Sequence, residues 1–402
     1  MAKGFSNHLA ARILWVAVAI FALSAGVASA RSDSAAHKRA KLSDARALGG
    51  VNRCVRARAK RVNPAGVRRR CARKPAQASR TPQPLYWGAT IGDHVTGEQA
   101  PWDMSAVTKF EGETGKSASL VQFFQPFANC NPNCDFYEFP TSPMESIRAH
   151  GSIPVLSWSS QSIPSSLNEP DFQLGDVIEG RYDDFIREFA EEAKAWGHPF
   201  FLRFNWEMNG NWFPWAEGVN GNTAGQYVAA WRHVHDIFNA VGVTNASWVW
   251  CPFVDPAGSM TDLGSLYPGD GYVDWTGLDG YNWGTNPASP RGWRSFDQLF
   301  AKTYAEIAEG IAPSKPLMIA EVGSSEQGGD KAAWIRDALS RVPAAYPQIR
   351  ALLWFDKFDD NMDWPIETSS AATGAFAEGI GQPVYQGANY AGLPSGTIQP
   401  PN

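Results

Sequence analysis

From Leu85 onward, short apolar runs rich in β-branched and aromatic residues alternate with longer stretches whose apolar positions recur every three or four residues. The runs predict strands at Leu85–Ile91, Ala118–Phe124, Ser152–Trp158, Phe200–Glu207, Ala246–Pro252, Val273–Tyr281, Leu317–Val322 and Arg350–Asp356. The clearest helical periods are Arg181–Trp196, Thr223–Val241, Ser295–Ile311 and Asp330–Val342. Gly197 and Gly242 directly follow two of these, where a left-handed cap residue ends a helix. Eight strands alternating with helices predict an α/β fold, a (β/α)8 TIM barrel. An open doubly wound sheet is the rival. The barrel is favoured because no Gly-x-Gly-x-x-Gly loop follows the first strand, and because polar and aromatic residues gather at the C-terminal ends of strands.

The 402-residue chain is 44% hydrophobic, ample for one large core. Its net charge of −5 conceals an asymmetry. Residues 31–80 carry sixteen Lys and Arg against Asp33 and Asp44, whereas residues 81–402 carry seventeen against thirty-eight acids. Residues 1–30 read as a signal peptide: Lys3 and Arg12, an apolar stretch from Ile13 to Val27, then Ala28-Ser29-Ala30 as a small-x-small cleavage site. A secreted, extracellular protein is therefore expected. Residues 31–84 form a basic Ala/Arg/Lys-rich linker without hydrophobic period, ending in Thr81-Pro82-Gln83-Pro84. Residues 31–80 are candidates for weak attachment to an anionic cell surface. Nucleic acid is not expected as a partner, because no aromatic interleaves the basic residues to stack on bases. The catalytic domain is assigned to residues 85–385 and a C-terminal tail to residues 386–402.

Five cysteines suit an exported chain. Cys130 and Cys134 bracket the turn Asn131-Pro132-Asn133 and are a candidate disulfide. Cys54 and Cys71, in the basic segment, are a second candidate pair, and Cys251 reads as a buried thiol. No metal-ligand spacing is present among the cysteines and no catalytic triad among His94, His198, His233 and His235, so no metal or cofactor is expected. Asp359, Asp360 and Asp363 read as a polar loop after the last strand rather than a cation loop. The absence of a Gly-x-Ser-x-Gly elbow argues against an esterase.

Two glutamates carry the chemistry. Glu207 ends the run Phe200-Phe201-Leu202-Arg203-Phe204-Asn205-Trp206-Glu207, and strict alternation would place Arg203, Asn205 and Glu207 on one face. Three polar side chains on a barrel strand imply a polar site. Glu321 ends the apolar run Leu317-Met318-Ile319-Ala320. The two close strands four and seven, so both reach the mouth of a closed barrel. Paired carboxyls flanking one bond are what glycoside hydrolysis requires, one held protonated and one ionised.

Residues 85–380 resemble glycoside hydrolase family 26, best known for β-mannanases, within the clan of barrels with catalytic glutamates on strands four and seven. The matching stretches are Arg203-x-x-x-Glu207-Met208-Asn209-Gly210-x-Trp212-x-Pro214-Trp215, Trp250-x-Pro252, Val273-Asp274-Trp275-x-Gly277-Leu278-Asp279-Gly280-Tyr281-Asn282, Ile319-Ala320-Glu321-Val322-Gly323 and Trp354-Phe355-Asp356. The resemblance implies Glu207 as acid/base and Glu321 as nucleophile. It also implies a hydrogen bond from Tyr281 to the nucleophile and Trp354 as the floor under the sugar at the cleavage point. Trp158, Trp212 and Trp283 are further candidate sugar platforms, and Arg203, Asn205 and Trp206 candidate substrate contacts. One departure stands out: the family usually has His immediately before the acid/base, contacting the sugar near C2, and Trp206 occupies that place here. The expectation is a monomeric retaining endo-hydrolase of a β-linked polysaccharide. β-1,4-Mannan is the leading substrate, with β-glucan, xylan or an exopolysaccharide as alternatives, and a non-catalytic carbohydrate-binding barrel as the rival class.

Overall fold

A computed structural model describes residues 81–254, 262–286 and 292–402. The leader, the basic segment through residue 80, Cys54 and Cys71 lie outside the described residues. Eight parallel strands form the core: β1 Leu85–Ile91, β2 Leu120–Cys130, β3 Ile153–Ile163, β4 Phe200–Phe204, β5 Ala246–Trp250, β6 Trp275–Asn282, β7 Leu317–Ser324 and β8 Ile349–Asp356. Each pairs with the next in sequence, and β8 pairs with β1 through Tyr86↔Ala351 to Ile91↔Asp356. The ring closes between β1 and β2 at Gly88↔Leu120 and Ala89↔Val121. Gly88 permits that closure, since a Cβ there would stand 1.9 Å from the Leu120 carbonyl oxygen. The fold is thus the expected (β/α)8 barrel. Two small additions flank it. Cys134–Phe136 runs antiparallel to the end of β2, and Tyr385–Gln386 runs parallel to the start of β1.

The helices are α1 Met104–Thr114, α2 Thr141–His150, α3 Asp183–Trp196, α4 Gln226–Val241, α5 Phe296–Ala305, α6 Lys331–Ala345 and α7 Ser370–Ile380. Helix α5 runs on into a π-helical turn, Glu306–Ile311. Gly197 and Gly242 end α3 and α4 in the left-handed conformation, as their positions suggested. Outward-facing strand residues pack on these helices: Trp158 stacks on Phe189 of α3 at 4.2 Å between centroids, and Trp354 meets Trp334 of α6 and Phe376 of α7 at 6.2 and 5.5 Å. Residues 386–402 pack against the strand starts. There the Ile398 amide donates to Ser247 Oγ at 2.7 Å, and Trp275 Nε1 donates to the Ile398 carbonyl at 2.8 Å. The Cys130–Cys134 disulfide is formed, and Cys251 is a buried free thiol.

Candidate active site

The C-terminal half of the barrel interior is polar. Thr90 on β1, Gln122 on β2, Ser157 on β3, Arg203 on β4, Asp279 on β6 and Glu321 on β7 are all buried there. Arg203 organises them. Its Nη1 donates to Glu321 Oε1 at 2.5 Å and to Ser157 Oγ at 3.2 Å, and its Nη2 is ion-paired with Asp279 Oδ2. Asp279 and Glu321 face each other because their strands put them in register. Cys251 Sγ approaches the other Asp279 oxygen at 3.2 Å. The second Glu321 oxygen accepts a hydrogen bond from the Tyr281 hydroxyl.

Strand β4 ends at Phe204, three residues earlier than its apolar pattern suggested, because the backbone leaves the extended region. Asn205 and Glu207 take φ values of 42° and 53°. Left-handed backbone at two non-glycine residues costs on the order of 1 kcal/mol or more each. Neighbouring strands hold both: the Asn205 amide donates to the Trp158 carbonyl at 3.0 Å, and the Glu207 amide to the Cys251 carbonyl at 2.7 Å. The twist breaks the alternation. It turns Asn205 toward β3, where its Oδ1 accepts from the Ser160 amide and its Nδ2 donates to Ser160 Oγ, both at 2.8 Å. It turns the Glu207 side chain into the barrel mouth. The Trp212 indole donates to Glu207 Oε2 at 2.5 Å. Gly210 makes room for this fold-back, since a Cβ there would lie 2.5 Å from the Trp212 ring.

Glu207, Asp279 and Glu321 each place one carboxylate oxygen within 4.8 Å of the other two. Two unit negative charges at that distance repel by at least about 3 kcal/mol at an effective dielectric near 20. One guanidinium cannot neutralise three carboxylates. Glu207 alone lacks a guanidinium contact, so it is where a proton is best kept. Burial raises its pKa well above the usual carboxylate range, Asp279 and Glu321 push it further, and Arg203 and the Trp212 N–H oppose. Burial also raises Asp279, against the pull of Arg203. The result is a carboxyl, Glu207, pushed toward its protonated form beside one, Glu321, held by a guanidinium and a phenol.

The other expected positions divide. Tyr281 and Trp212 are partly exposed and bond the two glutamates, and Trp283 is partly exposed beside Tyr281 and Trp364. Trp206 is 5% exposed, packed on Phe124 and Trp215, with the Arg203 guanidinium 5.0 Å from its ring centroid. Four expectations are corrected. Arg203 and Asn205 are fully buried with their polar groups turned to protein, so neither reaches a sugar. Trp158 is buried among the rings of α3. Trp354 faces the helices, with Nε1 donating to the Trp364 carbonyl at 3.0 Å. Phe355 is the residue of that pair turned to the mouth, 6.4 Å from Phe124 and 5.7 Å from Tyr281. Two residues of the matching stretches to which no role was assigned also belong to the site. Asp279 was detectable by parity, two positions before Tyr281 on the same strand. Asn209 locks the loop after β4 to that after β5 through reciprocal 2.8 Å hydrogen bonds with the Phe253 backbone.

Comparison with known proteins gives four findings. The sequence model of glycosyl hydrolase family 26 matches residues 147–348. Endoglucanase H of Acetivibrio thermocellus is 36% identical over 280 residues, 69% of this chain but 29% of that protein. A mannan endo-1,4-beta-mannosidase of Bacillus subtilis is 28% identical over 192 residues, 45% of this chain and 47% of that one. The chain therefore spans under a third of the first relative's length and about half of the second's. Among solved structures, a modular endo-beta-1,4-mannanase from Cellulomonas fimi superposes with a TM-score of 0.56 at 18% identity. The match covers 79% of this chain and 75% of that one, a likeness of fold.

Proposed function

Because this chain belongs to glycosyl hydrolase family 26, we propose that it cleaves a β-linked polysaccharide with retention of configuration, using Glu207 and Glu321. The observation that carries this is the approach of their carboxylate oxygens to within 4.8 Å. Retaining enzymes hold the two carboxyls about 5–5.5 Å apart, whereas inverting enzymes leave about 6.5–9.5 Å for a water. In the first step Glu207 gives its proton to the leaving glycosidic oxygen while Glu321 attacks the anomeric carbon, forming a glycosyl ester. In the second, ionised Glu207 takes a proton from water, which attacks the same carbon and releases Glu321. Arg203 and Tyr281 each donate a hydrogen bond to one Glu321 oxygen, fixing the orientation of its carboxylate. Trp212 holds Glu207 Oε2, leaving Oε1 for the proton.

For the substrate, the reading is a gluco-configured backbone first and β-1,4-mannan second. Mannose and glucose differ at C2, where the family's usual His is Trp206 here and Asn205 is spent on Ser160. The 36% identity over 280 residues to a protein named endoglucanase H supports glucan. The 28% identity to the Bacillus subtilis mannosidase supports mannan. Exposed Trp102 and Phe358, on the loops after β1 and β8, support an extended cleft and endo action. Export through residues 1–30 and tethering through residues 31–80 belong to the same proposal.

The test is reducing-sugar release from mannan, mixed-linkage glucan, xylan and curdlan by the wild type and Glu321→Gln. Release from glucan, absent in the variant, is expected. Release from mannan alone would move the substrate to the second reading. No release from any polymer, with equal sugar binding by both proteins, would leave a binding barrel.

A further inference from the structure

Away from the catalytic carboxyls, the seam between β1 and β8 carries a second cluster of donors. His94 follows β1, Asp356 ends β8, and Glu367 lies in the short helical turn Ile366–Thr368. One ligand atom from each falls within 4.8 Å of the others. His94 Nε2 stands 3.5 Å from Asp356 Oδ2 and 3.4 Å from Glu367 Oε2. The Glu367 contact is a long hydrogen bond, and both separations exceed the about 2.7–2.9 Å of charge-assisted ones. They match the edge of a tetrahedron whose centre lies about 2.0–2.1 Å from each corner, an edge of about 3.3–3.4 Å.

One further feature points inward. Asp356 is fully buried, and its Oδ2, which faces His94 Nε2 at 3.5 Å, has no closer partner. Asp356 Oδ1 accepts from the Ile366 amide at 2.8 Å, which fixes the direction of the free oxygen. The nearby Lys331 ammonium does not fill the gap, because it is bonded to the Asp363, Trp364 and Pro365 carbonyls and to Thr368 Oγ1.

We propose that His94, Asp356 and Glu367 form a three-ligand zinc site, its fourth position filled by water, that pins the loop after β1 to the end of β8. One imidazole nitrogen and two carboxylates suit zinc better than calcium or magnesium, which favour oxygen-only sets. Two carboxylate charges balance the dication. The Glu207 cluster is not an equivalent site, because the Arg203 guanidinium already bonds Asp279 and Glu321.

The experiment strips the full chain with chelator, dialyses it against zinc chloride and measures bound metal by mass spectrometry and Tm by calorimetry. His94→Gln and Glu367→Gln serve as the two variants. The wild type is expected to hold one zinc more per chain than either variant. At zinc a hundredfold above Kd, its Tm is expected to rise by about 5 °C, with no such rise in the variants. Equal zinc content in all three proteins, or an equal Tm response, overturns the proposal, as does no zinc uptake by the wild type. If one variant fails to fold, the other carries the comparison.

Discussion

Trp212→Phe isolates one contribution to Glu207, the proposed acid/base. The Trp212 indole donates to Glu207 Oε2 at 2.5 Å and packs edge-on against Phe253 at 5.2 Å. Phenylalanine keeps an aromatic ring in that slot and removes the N–H. A hydrogen bond to a charged group is worth about 1.5–3 kcal/mol, and 1.36 kcal/mol corresponds to one pKa unit. The N–H stabilises the ionised carboxylate, so it holds the Glu207 pKa down against burial and the charges of Asp279 and Glu321. Without it, that pKa rises by about 1–2 units. In kcat/KM the basic limb reports loss of the proton from the free enzyme's acid. The limb should therefore move up by about 1–2 pH units, while the acidic limb stays in place. The assay is kcat/KM for an aryl glycoside across pH 4–10. A basic limb that stays or moves down would refute the hydrogen-bonded geometry or the acid role of Glu207.

Three other outcomes follow from the same network. Arg203→Met strands two buried carboxylates and should cost about 3–5 kcal/mol of stability, read by urea denaturation at pH 7. Tyr281→Phe removes a donor from Glu321 and should lower kcat/KM about 10–150-fold with the Tm nearly unchanged. Trp354→Ala should lose about 3–5 kcal/mol of stability through a cavity beneath α6 and α7. Its KM should remain near the wild-type value, whereas a Trp354 that formed the sugar floor would raise KM sharply.

The strands were legible because barrel strands are buried on both faces and read as apolar runs bounded by turns. Leu85–Ile91 was located to the residue, and most other boundaries fell within a few positions. The failures have local causes. Alternation beyond Phe204 misplaced Asn205, because left-handed backbone at Asn205 and Glu207 leaves no mark in the hydrophobic pattern. Trp354 and Phe355 could not be ordered by pattern, since both faces of β8 are apolar and parity does not say which one is inward. The Asp279–Arg203–Glu321 network and the His94–Asp356–Glu367 cluster join residues from distant strands, so no spacing in the sequence announces them. What survived to the site was the glutamate pair at the ends of strands four and seven, because closure of the barrel is enough to bring those ends together.

The central claim is that Glu321 becomes covalently attached to sugar while Glu207 moves the proton. The most direct measurement is intact-mass and peptide mass spectrometry after incubation with an activated 2-deoxy-2-fluoro-β-glycoside, which accumulates the intermediate by slowing its hydrolysis. The account predicts one fluoroglycosyl adduct per chain, on Glu321. An adduct on Glu207 or Asp279 would contradict the assignment. No adduct, together with a first-formed product of inverted anomeric configuration, would contradict the double displacement itself.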